Sequence, residues 1–143
     1  MTQECIETLK RYIQTSGNED CGVLMGSQIN DNIIRVNKVS GSIKVKEESS
    51  TYTCKIDKES ANAFIKDDYE QSNHKRYYIG EWHTHPEDRP LPSSFDKSSI
   101  KLSFKENAMP INNVFLMVIV GRKEIYWGIY DGKTLKMIEP NLV

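Results

Sequence analysis

The chain has 143 residues, 38% hydrophobic and 27% charged, with a formal net charge of −1. That length fits one domain with a core burying roughly two-thirds of the unfolded surface, and the composition excludes a disordered chain. The near-neutral balance, with no lysine or arginine stripe, argues against a nucleic-acid partner, and no apolar run approaches the roughly 20 residues that span a bilayer.

In chain order, Cys5, Ile6, Leu9, Tyr12 and Ile13 stand at helical spacing within residues 3–14, and Ser16-Gly17-Asn18 breaks that pattern. Cys21 to Met25 reads as a short apolar strand ended by Gly26, and Ile33 to Val39 as its antiparallel neighbour across the Asn30-Asp31-Asn32 turn. Ser40 to Ser50 is polar, a loop or exposed ribbon. Asp57 is placed to cap a helix reaching about Gln71, with Ala61, Phe64, Ile65 and Tyr69 inward. Tyr77 to His83 is the next strand. A proline-rich turn follows, then a helix from Ser93 or Ser94 that stops before Pro110. Val114 to Val120 reads as a central strand, Glu124 to Tyr130 as another, and Asp131-Gly132 as a hairpin turn into Thr134 to Ile138. The order α-β-β-α-β-α-β-β-β predicts an α/β domain, one mixed sheet with helices packed on it. No linker interrupts it, so residues 1–143 are expected to form a single domain.

Three cysteines (Cys5, Cys21, Cys54) at wide spacings suggest neither a disulfide framework nor a Cys-x-x-Cys metal site. With a polar start that lacks the apolar stretch of a signal peptide, they point to a reducing cytoplasm. Cys21 reads as a small buried hydrophobe, Trp82 as core packing on the strand face opposite the histidines, and His74 as a solvated loop residue.

The chemistry concentrates between Gly80 and Asp96. Residues two apart on a strand share a face, so His83 and His85 project together, roughly 6.6 Å apart along the chain. Pro86 stops the strand, and Pro90 and Pro92 hold the following loop extended. Asp96 then falls in the first turn of a helix, where the dipole favours a carboxylate. Two imidazoles and one carboxylate leave a fourth position of tetrahedral Zn²⁺ for water, the pattern of a catalytic rather than a structural site. A lone His-x-His pair is commonly just two polar residues on a strand; the joint pattern with serine and aspartate is what carries the reading. Spacing alone also makes Glu81, on the same face, a candidate general base.

The run His83-x-His85-Pro86, then Ser93 and Asp96, resembles the signature of the JAMM (JAB/MPN) metallopeptidases, and Glu19 followed by Gly22-Val23-Leu24-Met25-Gly26 is similar to that family's upstream glutamate and Gly-x-Leu-x-Gly strand. The resemblance spans roughly residues 19–120. It implies a curved mixed sheet with flanking helices, similar to cytidine deaminases, with His83, His85 and Asp96 as zinc ligands. It further implies Glu19 as the general acid/base and Ser93 as the oxyanion donor, and leaves Glu81 as the alternative base or a residue tuning a ligand.

The string Tyr78-Ile-Gly-Glu-Trp-His-Thr-His-Pro-Glu resembles a bacterial branch found beside ubiquitin-activating-like and ubiquitin-conjugating-like proteins, notably in CBASS antiphage operons. That likeness implies a stand-alone isopeptidase. Its substrate would be the C-terminal tail of a conjugated protein, either a cGAS-like nucleotidyltransferase or a bacterial ubiquitin-like protein. The short segment between Leu102 and Val114 leaves no room for the long second insertion of eukaryotic relatives, and residues 40–50 would form a substrate-binding ribbon in its place. A non-catalytic scaffold of the same fold is the alternative. Glu87, Asp88 and Arg89 in the proline loop either meet substrate or are solvated.

Overall fold

The computed structural model describes residues 1–106 and 113–142. Among these residues three α-helices, α1 (Gln3–Lys10), α2 (Lys58–Gln71) and α3 (Ser94–Glu106), and six strands alternate in the expected order: β1 (Cys21–Asn30), β2 (Ile33–Val39), β3 (Tyr77–Thr84), β4 (Phe115–Val120), β5 (Ile125–Tyr130) and β6 (Leu135–Met137). The expected end of α3 before Pro110, and most of the short segment before Val114, lie outside the described residues.

The strands form one mixed sheet in the order β2-β1-β3-β4-β5-β6. β3 and β4 run parallel and every other neighbouring pair antiparallel. β4 is buried at all six positions, as a strand covered on both faces must be. Its alternate side chains split the core in two. Leu116, Val118 and Val120 join Trp82, Leu24 and the inner face of α1 (Cys5, Ile6, Leu9). Phe115, Met117 and Ile119 join Ile100 of α3 with Tyr126 and Tyr130. Trp82 is fully buried on the face away from His83, as its place in the strand predicts. Gly80 is required for the β3–β4 approach, because a Cβ there would run into the carbonyl of Leu116.

Two local expectations are corrected, and one buried residue was not foreseen. β1 continues beyond Gly26 to Asn30 through two register shifts, so Gly26 marks a bulge rather than a strand end. Asp57 stands at the N-cap of α2 but makes no capping bond to the helix backbone; its carboxylate accepts from the Ser60 hydroxyl instead. The inner face of α2 carries an aspartate. Asp68 is completely buried, and accepts a hydrogen bond from Arg76 Nη2 at 2.7 Å with Lys38 Nζ at 3.6 Å.

Candidate metal centre

His83 leaves the C-terminal end of β3, paired across to Cys21 on one side and Ile119 on the other. Thr84 points to the opposite face, where its buried hydroxyl accepts from the Asp20 amide (3.0 Å) and donates to Gln14 Oε1 (3.1 Å). The ladder extends one residue past the strand, His85 N donating to Val120 O, before Pro86 ends it. The loop that follows lies against the β4–β5 turn: the amides of Arg122 and Glu124 donate to the carbonyls of Glu87 (2.7 Å) and Asp88 (2.9 Å). Chain reversal then delivers Ser93 to the start of α3. Asp96 N donates to Ser93 Oγ (3.0 Å) and Ser93 N donates to Asp96 Oδ2 (2.8 Å). This reciprocal capping sets both the helix start and the orientation of the carboxylate.

As a result His83 Nε2, His85 Nε2 and Asp96 Oδ2 form a nearly equilateral triangle with edges of 3.2, 3.1 and 3.2 Å. Zinc–nitrogen and zinc–oxygen bonds of about 2.0–2.1 Å at tetrahedral angles require ligand atoms about 3.3 Å apart. The triangle is therefore the size of one face of a zinc tetrahedron. Asp96 and His85 are buried and His83 is half-buried. Burial alone would push the Asp96 carboxyl up, but the two imidazoles beside it outweigh that and hold it well below the usual carboxylate range. Burial likewise opposes charge on His85, yet the Asp96 carboxylate next to it raises its pKa.

Glu19 stands at the same centre. One carboxylate oxygen of Glu19 and one nitrogen each of His83 and His85 all lie within 4.8 Å of one another. The residue is 1% exposed, and its Oε2 is buried without a hydrogen-bond partner among the described residues. Burial pushes its pKa up to about 8, with His85 opposing and Asp96 and Glu87 reinforcing the rise. A buried carboxyl with an idle oxygen beside three converging donor atoms suits a group that exchanges a proton with water held at the triangle. The donor set, two imidazoles and a carboxylate, fits zinc.

What holds Glu19 was not legible in the sequence. Residues 42–57 fold into a ribbon bridged at Lys44 and Ile56, in line with the ribbon expected for 40–50. The Glu19 amide donates to Ser50 O (2.8 Å), and Lys44 Nζ donates to Glu19 O (3.0 Å) while pairing with Asp20 Oδ1 (3.0 Å). Cys21 is disulfide-bonded to Cys54, with Cα atoms 6.1 Å apart, against the expectation of free thiols. It is buried as expected, but as half of a cross-link that staples the ribbon to β1 beside His83. Cys5 is the free, buried third cysteine; an odd count concealed a bonded pair.

Glu81 accepts from the Tyr78 hydroxyl at 2.6 Å and is also hydrogen-bonded by Ser103. Its carboxylate thus belongs to the floor of a groove rather than to the triangle. That groove, about 820 Å³, runs between α2 (Ala61, Ile65), α3 (Phe95, Ile100) and the ribbon (Cys54, Ile56), and opens past Glu19, His83 and Asp96. His74 is exposed, as expected, and stacks on Tyr69 at 4.4 Å.

The model of prokaryotic homologs of the JAB domain matches residues 7–130. The chain belongs to this prokaryotic JAB family. Among its curated relatives, proteins named CD-NTase/cGAS isopeptidase match from Vibrio cholerae (32% identical over 114 residues, 77% of this chain and 66% of that protein) and Escherichia coli (37% over 79 residues, 55% and 47%). A third, from Pseudomonas aeruginosa, is 45% identical over 56 residues, covering 38% of this chain and 34% of that protein. The matches thus span a third to just under two-thirds of those relatives' lengths. The JAB fold itself is shared with the solution structure of protein DSY2949 from Desulfitobacterium hafniense, at a TM-score of 0.69 and 20% identity over 99% of this chain and 90% of that one. No helix among the described residues is long and apolar enough to cross a membrane.

Proposed function

We propose that residues 1–143 form a single-domain zinc isopeptidase that hydrolyses the bond joining the C-terminal tail of a CD-NTase (cGAS-like nucleotidyltransferase) to its target, in a cytoplasmic antiphage system of the CBASS type. The observation that carries this reading is the zinc-sized triangle of His83, His85 and Asp96 with the buried carboxyl of Glu19 beside it. The names of the relatives supply the substrate class. Processing of a bacterial ubiquitin-like protein by the same chemistry is the nearest alternative substrate.

His83, His85 and Asp96 would hold the ion, which when bound supplies acidified water and polarises the scissile carbonyl. Glu19 takes one proton from the water whose oxygen adds to the carbonyl carbon, and returns it to the departing lysine or other amine as the C–N bond breaks. A carboxyl that burial has made basic is suited to both steps. Ser93 Oγ accepts from the Asp96 amide, which leaves its own proton to donate to the oxygen that becomes negative in the tetrahedral intermediate. Such a donor is worth roughly 3 kcal/mol of barrier. The groove between α2 and α3 offers an apolar track for an extended tail.

The test is incubation of a CD-NTase conjugate with the protein, read by intact mass. Cleavage at the tail junction is expected with zinc, and none after chelation or with Glu19→Ala, His83→Ala, His85→Ala or Asp96→Ala. Undiminished turnover by metal-free protein, or by Glu19→Ala, refutes the mechanism.

A further inference from the structure

Of the two histidines in the triangle, His85 has a second nitrogen that is buried and makes no regular hydrogen bond among the described residues. The group it meets is the carboxylate of Glu87, whose Oε1 stands 3.0 Å from Nδ1 but out of line with the ring N–H. Glu87 lies two residues on, past Pro86, and its side chain is 56% exposed. Its backbone is not free. The Glu87 carbonyl accepts from Arg122 N at 2.7 Å, and the next carbonyl accepts from Glu124 N at 2.9 Å and Lys123 N at 3.2 Å. The loop is thereby held to the β4–β5 turn, which carries the carboxylate to the Nδ1 side of the imidazole.

We infer that Glu87 is a positioning residue for the metal centre: with the ion bound, its carboxylate turns from this 3.0 Å contact to accept the Nδ1 proton of His85, fixing the tautomer that presents Nε2 to the ion and the tilt of the ring. An imidazole that binds metal through one nitrogen must carry its proton on the other, and a carboxylate acceptor there orients the ring and strengthens the ligand. Asp96 needs no such aid from this loop, since its Oδ2 is already oriented by Ser93 N. His85 sits one residue past the last strand residue, where its amide donates to Val120 O, and its ring orientation is not set by that backbone bond. Asp88 and Arg89, by contrast, pair outward at the surface with Lys123 (3.7 Å) and Glu124 (3.2 Å). Asp88 therefore carries the same charge in the same loop without touching the site.

This inference rests on the zinc reading, and the experiment separates the two. Metal-free protein is titrated with zinc against a competing chromophoric chelator, and its thermal midpoint is measured without metal. Glu87→Ala is expected to weaken zinc affinity about 10- to 100-fold while leaving the metal-free midpoint unchanged. Glu87→Gln, which keeps an acceptor oxygen at the same reach, should recover most of that loss, and Asp88→Ala should stay within about twofold of the parent. An affinity for Glu87→Ala within twofold of the parent overturns the inference, as does an equal loss with Asp88→Ala, which would mark a general charge effect. If the parent binds no zinc, or if His85→Ala binds it as tightly, the metal centre itself fails and Glu87 with it.

Discussion

Glu19 is costly to keep where it is, and replacing it with glutamine in the metal-free protein should make the fold more stable. Its carboxyl ionises near the ordinary 4.5 when the chain is unfolded but only at about 8 in the fold, because burial disfavours the charge. A raised native pKa means that the native state holds the proton more tightly, so stability is greatest below pH 4.5 and falls as pH climbs toward 8. At pH 7 the penalty is about 2.5 units at 1.36 kcal/mol each, or about 3 kcal/mol; at pH 5 it is under about 1 kcal/mol. Glutamine has nearly the shape of the protonated acid and cannot ionise. Urea unfolding of parent and Glu19→Gln, both with chelator, at pH 5 and pH 7, should show a gain of about 3 kcal/mol at the higher pH and little at the lower. The matching rise in Tm at pH 7 is roughly 6–12 °C. Equal gains at both pH values, or less than 1 kcal/mol at pH 7, would refute the argument that burial drives this pKa.

Cys54→Ser opens the loop closed between Cys21 and Cys54, 33 residues apart, and should cost roughly 3–4 kcal/mol of stability under oxidising conditions; the same variant in excess thiol should match the reduced parent. Thr84→Val keeps the shape but removes the acceptor for Asp20 N and the donor to Gln14. A buried acceptor on Gln14 and the part-buried Asp20 amide are then stranded, and urea unfolding should show a loss of about 1–3 kcal/mol. Asp68→Ala leaves the Arg76 guanidinium without its 2.7 Å partner, and should destabilise the protein by about 3 kcal/mol; a change below 1 kcal/mol would mean that solvent replaces the carboxylate.

The element order was readable because each buried segment keeps its period: Val114 to Val120 is apolar on both faces, and α1 repeats its apolar residues at three and four. The triangle was readable because its members lie within 14 residues on a strand, a proline turn and a helix start, all local features. What escaped depends on contacts between distant segments. Polar Ser27 to Asn30 has no strand signal of its own and is extended only because β2 offers a partner. Asp68 sits on the buried face of α2 only because Arg76 and Lys38 neutralise it. Glu81 shares the face of His83, as its spacing says, yet spacing is blind to the Tyr78 hydroxyl that turns its carboxylate into the groove floor. Glu19 is held by Ser50 and Lys44, which no motif announces.

The parallel pairing of β3 with β4 has a geometric corollary. A chain leaving the top of one strand must descend before it can enter its neighbour in the same direction, so the crossover helix begins where the first strand ended. Whatever acidic side chain opens that descent arrives next to whatever bases closed the ascent. No long-range coordination is needed to gather these three donors.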